Sequence, residues 1–196
     1  MPHPLFARRY WIFDMDGTLT LAQHDFQAMR MALGLPENQT ILESLAALPS
    51  TQAAPLYARL QAMELEIAQT AQAAIGAEPL LQALTAQGIQ IGLLTRNSAL
   101  NTQVTLQAAG LAQYFAAADL ISRDCAPPKP HPAGIQRLLA QWQAQPDEAV
   151  MVGDFVYDLQ AGRAAGTATV YLDPSAQFPD RAYADWCVQS LVELLA

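Results

Sequence analysis

Asp14 and Asp16 stand directly after a short apolar run, residues 10–13, and directly before Gly17. Four bulky residues bounded by polar turn residues are typical of a buried strand, and residues two apart on a strand point to the same side. Two carboxylates so close repel each other, so each needs a cation, a donor or a proton at neutral pH. A hard metal such as Mg²⁺ meets that need. The stretch therefore predicts a cation site at the end of a buried strand.

This stretch has two other interpretations. A calcium-binding loop fails, because counting Asp14 as its first position places Leu19 where the sharp turn of that loop requires glycine. The second alternative is a solvated turn whose carboxylates have no function. The rest of the chain argues against it.

Three more predicted strands also end in polar residues. They are followed by Thr95, Arg96 and Asn97 after the second strand, Lys129 shortly after the third, and Asp154 and Asp158 after the fourth. In an open parallel sheet, ligands bind outside the carboxyl ends of the strands. We therefore expect these side chains to converge with Asp14 and Asp16 at one edge of the sheet.

Each of these residues alone has a structural alternative. Thr95 fits an anion site with the N–H groups of the following helix, or a simple helix cap. Lys129 lies in a segment with four prolines in six residues, which stiffens the loop and would hold the lysine in place; an exposed linker lysine is the alternative. Asp154 and Asp158 suit metal ligation or the orientation of Lys129, or they complement a helix dipole.

The apolar pattern divides the chain into an α/β core and a helical insertion. Residues 21–76 show only helical periods, whereas the remainder alternates strands with helices of about 10 residues, which predicts a parallel sheet. We expect a core of residues 1–20 and 77–196 and a helical cap of residues 21–76. The predicted strands are 10–13, 89–95, 120–122, 149–153 and 167–172, and the longest predicted helix runs from about 53 to 74.

Composition narrows the classes of function. The 196 residues are 52% hydrophobic and 14% charged, with a net charge of −8, which disfavours a nucleic-acid or acidic-membrane surface. A phosphorylated small molecule stays open as a partner, because a metal and one lysine can dominate a local field. Cys125 and Cys187 show no metal-ligand spacing, no apolar run approaches a membrane span, and no signal peptide is recognisable. We expect a cytoplasmic protein.

The four motifs, taken together, resemble the haloacid dehalogenase-like hydrolase superfamily. The matches occur in order: D-x-D-G-T at residues 14–18, the threonine Thr95, the lysine Lys129, and G-D-x-x-x-D at residues 153–158. The insertion is similar to that family's small helical cap, and the chain looks most like the phosphoglycolate-phosphatase-like enzymes. The resemblance implies a Rossmann-like parallel sheet of order 5-4-1-2-3 with helices on both faces.

The resemblance also implies roles for these residues. It implies that Asp14 is the nucleophile, that Asp16 is the general acid and base, and that Asp158 orients Lys129 or the metal waters. The implied phosphate-binding residues are Thr95, Arg96 (through its N–H), Asn97 and Lys129. The implied ligands of Mg²⁺ are Asp14, Asp154 and the main-chain carbonyl of Asp16. These assignments describe a phosphatase that proceeds through an aspartyl-phosphate. The family's dehalogenases lack the second acid, so Asp16 favours phosphate esters over haloacids.

Substrate choice is expected to lie in the cap, with His24 and Arg30 as candidates because they stand near its start. A solvated helix face is the alternative for each. Phosphoglycolate, sugar phosphates and nucleotides all fit a small cap, and a monomer and a homodimer both stay open. The rivals to a phosphatase are a phosphomutase of the same superfamily and a catalytically silent scaffold whose helical insertion binds a partner.

Overall fold

A computed structural model describes residues 3–195, and a single parallel sheet forms its centre. The strands are β1 (Tyr10–Phe13), β2 (Gln90–Leu94), β3 (Leu120–Ile121), β4 (Ala149–Gly153), β5 (Ala168–Leu172) and β6 (Trp186–Val188). Their order is β3-β2-β1-β4-β5-β6, and every neighbouring pair is parallel. The predicted α/β class and the order 5-4-1-2-3 are confirmed, with one more strand outside β5.

The sixth strand and several boundaries differ from the prediction. β6 has only three residues, of which Val188 alone is buried, so it carries too short a hydrophobic pattern to be read from the sequence. β2, β3 and β5 are each slightly shorter than predicted. The short final helix is a 3₁₀ segment, Leu191–Leu195, and the Glu193 carboxylate accepts the N–H groups of Gln189 and Ser190.

Seven α-helices are present in the described residues 3–195. They are α1 (Phe26–Leu33), α2 (Ile41–Ala46), α3 (Ser50–Ala68), α4 (Ala77–Ala86), α5 (Ala99–Ala108), α6 (Ala133–Trp142) and α7 (Val156–Ala165). Further 3₁₀ segments are Pro4–Ala7, Ala112–Tyr114, Ala117–Asp119, Pro146–Glu148 and Arg181–Tyr183. In this described part of the chain, no helix combines the length and the apolar character that a membrane crossing requires.

Helices cover both faces of the sheet, which explains why its strands are apolar on both sides. Along β1, Trp11 and Phe13 pack into the cluster formed with α4 and α5, whereas Ile12 packs into the cluster formed with α6 and α7. All three side chains are fully buried. The sheet is thereby packed on both sides. β1 lies between β2 and β4, and Asp14 follows directly after the carboxyl end of β1.

The three helices that follow β1 have an apolar cluster of their own. It contains Met29, Leu33, Ile41, Leu45 and Leu60, which come from α1, α2 and α3. The division of the chain at residues 20 and 76 stays a prediction.

The long helix of the insertion is shifted relative to the prediction. α3 begins three residues earlier and ends at Ala68 rather than near residue 74. It ends there because the chain turns back to the core. The N–H of Leu21 donates to the Gln72 carbonyl at 3.0 Å, and the N–H of Ala74 donates to the Leu19 carbonyl at 2.8 Å. These two backbone hydrogen bonds join the entry and the exit of the helical insertion.

Candidate active site

The loop after β1 presents Asp14 and Asp16. The N–H of Asp14 still donates to the Val152 carbonyl at 2.9 Å, so this residue continues the sheet. The chain then turns sharply, and the N–H groups of Leu19 and Thr20 both donate to the Met15 carbonyl at 2.9 Å. Both carboxylates line one cavity of about 370 Å³.

Lys129 lies at the centre of the charged group. Its side chain is 2% exposed and makes ion pairs with Asp14 and with Asp158, the latter at 2.6 Å. Burial alone would lower the pKa of this lysine, but the two carboxylates outweigh it and raise its pKa to about 12. Lys129 is therefore a fixed positive charge at neutral pH, and it is not an exposed linker residue.

Carboxylate oxygens of Asp14, Asp154 and Asp158 lie within 4.8 Å of one another. Oxygen donors at this spacing suit a hard divalent cation. Burial raises the pKa of Asp154 to about 8 and that of Asp158 to about 6, and the negative charge of Asp14 contributes to both shifts. A cation would relieve this repulsion, so the residues present fit the predicted metal.

The backbone is shaped around this carboxylate group. Gly17 has a φ of +84°, and a Cβ added to it would lie 2.2 Å from Oδ2 of Asp154. The hydroxyl of Thr18 lies 3.3 Å from Oδ1 of the same carboxylate and 3.5 Å from Oδ2 of Asp14. Only glycine combines this left-handed backbone with this close approach. The turn therefore leaves room for Asp154 beside the β1 loop.

Asp16 has the electrostatic character of a proton donor and acceptor. Burial raises its pKa to about 7, and the charge of Asp14 adds to the rise, although Lys129 and a hydrogen bond from Asn97 oppose it. The Asn97 amide nitrogen lies 2.5 Å from the Asp16 carboxylate. A group whose pKa lies near neutrality can both give and take a proton at that pH.

Thr95 follows β2 and is 2% exposed. Its hydroxyl accepts the N–H of Asn97 at 3.1 Å, whereas the N-cap of α5 is Ser98, which accepts the N–H of Asn101 at 3.3 Å. The alternative interpretation of Thr95 as the helix cap is therefore wrong. Thr95 instead shapes the turn between β2 and α5, at the cavity wall.

The Arg96 side chain is engaged by the helical insertion. Its Nη2 lies 2.7 and 2.8 Å from the two carboxylate oxygens of Glu43 in α2. Its guanidinium carbon lies 4.9 Å from the centre of the Tyr157 ring, within the range of a cation–π interaction. The guanidinium group thus contacts both α2 and α7. The predicted phosphate contact of Arg96, through its backbone N–H, stays a prediction.

All ten residues proposed from the sequence line the same cavity. They are Asp14, Asp16, His24, Arg30, Thr95, Arg96, Asn97, Lys129, Asp154 and Asp158. His24 stacks on Phe26 with ring centres 5.3 Å apart, and its Nδ1 lies 3.7 Å from Oδ1 of Asp16. Burial lowers the pKa of His24. The structure therefore brings the proposed residues together, while their individual roles stay proposals.

Three polar residues of the cavity were missed, Thr40, Glu64 and Tyr157, and Glu64 is the one that carries a buried charge. Glu64 of α3 is only 8% exposed, and both of its carboxylate oxygens accept hydrogen bonds from Arg123 at 2.8 Å. The Asn101 amide donates to it at 2.9 Å. The signal was a carboxylate four residues after Leu60 on the apolar face of the helix, where an acid is buried only if it is paired.

The structure is that of an α/β protein in which several acidic residues and one buried lysine meet at the carboxyl ends of the parallel strands. A family model described as haloacid dehalogenase-like hydrolase matches residues 27–166. A Saccharomyces cerevisiae protein described as an uncharacterized hydrolase is 30% identical over 164 residues, which are 82% of this chain and 75% of that protein. The chain belongs to the haloacid dehalogenase-like hydrolases.

Two solved structures have the same fold. One is described as a predicted phosphoglycolate phosphatase from Haemophilus somnus, with a TM-score of 0.76, 20% identity, and coverage of 96% of this chain and 97% of that one. The other is CbbY from Rhodobacter sphaeroides in complex with phosphate, with a TM-score of 0.70, 21% identity, and coverage of 95% and 96%. At these identities the likeness establishes the architecture.

Proposed function

We propose that this chain is a Mg²⁺-dependent phosphatase that hydrolyses a small phosphomonoester through an aspartyl-phosphate. One observation carries the proposal: Asp14, buried Lys129 and the acids Asp154 and Asp158 meet in one cavity, next to Asp16 with a pKa of about 7. The phosphate in the CbbY structure is in keeping with this substrate class.

The first half of the reaction transfers the phosphoryl group to the protein. Asp14 attacks phosphorus with a carboxylate oxygen, and the bond between phosphorus and the leaving oxygen breaks. Asp16 gives its proton to that oxygen, so the leaving group departs as a neutral alcohol. Lys129, Thr95 and the N–H of Arg96 stabilise the charge on the phosphoryl oxygens.

The second half releases phosphate. Asp16, now a carboxylate, takes a proton from water, and the water oxygen attacks phosphorus and breaks its bond to Asp14. A bound Mg²⁺, held by Asp14, Asp154 and the Asp16 main-chain carbonyl, would supply positive charge that neutralises the phosphoryl oxygens. Asp158 keeps Lys129 in place through the ion pair at 2.6 Å.

The test is a phosphate-release screen over small phosphomonoesters, with Mg²⁺ and with EDTA. We expect release that needs the metal and that falls by about 10³-fold or more in Asp14→Asn, as for other essential nucleophiles. Asp147→Asn is the matched control, because this aspartate is exposed. Full activity in Asp14→Asn would refute the mechanism.

The same screen separates the rivals. Conversion of a sugar phosphate that requires a bisphosphate activator would identify a phosphomutase. Chloride release from a haloacid would identify a dehalogenase, which Asp16 argues against. No turnover of any of these substrates would favour a scaffold whose helical insertion binds a partner.

A further inference from the structure

The cap side of the cavity is apolar. Its wall consists of Phe26, Met29, Ile41, Leu42 and Leu60, which we call the apolar wall. A hydroxylated leaving group placed against these side chains would lose hydrogen bonds to water and gain none. An apolar leaving group would instead bury its own surface there.

Most polar groups near the apolar wall are already paired within the protein. Glu64 is bound by Arg123 and Asn101. Arg96 is bound by Glu43. These pairs reduce the number of groups that could recognise the hydroxyls of a sugar, whose selection depends on hydrogen bonds to several unpaired groups.

Arg30 and His24 are exceptions, since each has a buried side-chain nitrogen without a hydrogen-bond partner, and of the two only Arg30 carries a guanidinium group. Within residues 3–195 its guanidinium makes no hydrogen bond or ion pair, and its Nε is buried without a partner. It lines the cavity from α1. A guanidinium fork matches a carboxylate with two parallel hydrogen bonds. A ligand anion would therefore satisfy this buried nitrogen.

Aromatic side chains complete the other side of the cavity. Phe155 is 50% exposed and meets the Tyr157 ring edge-on, with ring centres 5.0 Å apart. Aromatic surfaces of this kind favour a ring in the ligand through offset or edge contacts. The cavity volume of about 370 Å³ is in the range of sites that hold small organic ligands.

We propose that the leaving group of the substrate is an apolar, ring-bearing alcohol with one carboxylate, and that Arg30 binds this carboxylate. The ring lies between the apolar wall and Phe155. The inference rests on the proposed phosphatase activity and specifies its substrate class. It separates this chain from an enzyme for sugar phosphates.

The experiment compares three phosphomonoesters that all release a primary alcohol: benzyl phosphate, 4-carboxybenzyl phosphate and glucose 6-phosphate. Their leaving oxygens have similar intrinsic reactivity, so kcat/KM reports recognition. We expect 4-carboxybenzyl phosphate to exceed benzyl phosphate by about 10- to 100-fold, the worth of a charged hydrogen bond, and glucose 6-phosphate to be the poorest substrate.

Arg30→Met should remove the preference for the carboxylate, so that the ratio of kcat/KM for 4-carboxybenzyl phosphate to kcat/KM for benzyl phosphate falls to about one. Arg30→Lys should retain part of the preference, because the charge remains without the fork. Arg59→Met is the matched control, since Arg59 is an exposed arginine of α3. Thermal melts of each variant report whether it is folded.

Each outcome decides the inference. A best rate with glucose 6-phosphate, or a carboxylate preference that survives in Arg30→Met, overturns it while the phosphatase proposal stands. No phosphate from these three esters or from p-nitrophenyl phosphate overturns both. Loss of the preference for the carboxylate in Arg30→Met, together with its retention in the control Arg59→Met, supports the inference.

Discussion

Gly17→Ala is the substitution that most directly tests how the backbone makes room for Asp154, a proposed metal ligand. Gly17 has a φ of +84°, and an added Cβ would lie 2.2 Å from Oδ2 and 2.7 Å from Cγ of Asp154. The substitution therefore has two separate costs. One is a left-handed backbone that alanine avoids, and the other is displacement of the Asp154 carboxylate.

The two costs differ in size and in kind. The left-handed conformation costs about 1–2 kcal/mol of folding free energy for a residue with a Cβ, which lowers the Tm by a few degrees in a chain of this length. Ordinary contact begins near 3.4 Å, so Asp154 must also withdraw by about 1 Å. A displacement of that size at a reacting centre costs on the order of 100-fold in rate.

Gly88→Ala separates these costs. Gly88 has a φ of +70°, but a Cβ there would meet nothing within 4 Å. Both variants should lose similar stability in thermal melts of the metal-free protein. Gly17→Ala alone should lose Mg²⁺ affinity, measured by calorimetric titration, and phosphatase activity. Unchanged Mg²⁺ affinity and activity in a folded Gly17→Ala variant would refute this account of the site.

Two further predictions concern buried charge. Arg123→Met leaves the carboxylate of Glu64 buried without its cation, so the free energy of unfolding in urea should fall by about 3–5 kcal/mol. The control Arg163→Met breaks a half-exposed pair with Asp185 at 3.6 Å and should cost less than about 1 kcal/mol. Equal losses of stability in the two variants would contradict the buried network. Burial and nearby carboxylates raise the pKa of Asp154 from its ordinary value of 3.8 to about 8 in the folded protein. The metal-free fold therefore keeps a proton that the unfolded chain has lost, so the stability of the metal-free protein should fall as pH rises from about 4 to about 8. Mg²⁺ must displace that proton, so its affinity should rise up to about pH 8 with measurable proton release, and an affinity that is constant between pH 6 and 8 would contradict the shift.

The sheet and the convergence of the acids were predictable because both depend on local signals. A strand that is buried on both faces is a continuous apolar run, and its end is marked by an abrupt change to polar residues. Three such ends, at Asp14, Thr95 and Asp154, follow from the sequence alone, and Lys129 lies in the loop after the third strand. Parallel pairing brings all four residues to one edge.

The contacts between the cap helices and the core were not predictable in this way. The pair Arg96 and Glu43 joins residues 53 positions apart, and the pair Arg123 and Glu64 joins residues 59 apart. No periodicity encodes such pairings, because they depend on how α2 and α3 pack over the strand ends. For the same reason the sequence identified Arg96 as a site residue without revealing that its guanidinium is occupied.

The charge balance of the cavity links the acid and base chemistry to the metal. Four carboxylates, those of Asp14, Asp16, Asp154 and Asp158, face the single ammonium group of Lys129. In the metal-free protein the charge of neighbouring carboxylates adds to burial and raises the pKa of Asp16 and Asp154. At Asp158 burial raises the pKa, and the positive charge of Lys129 opposes the rise. In the proposed mechanism, a divalent cation held by Asp14, Asp154 and the Asp16 main-chain carbonyl would replace protons as the neutralising charge. The Asp16 carboxylate is not in the group of three close carboxylates, so in that mechanism it would be free to carry the proton that a leaving alcohol requires.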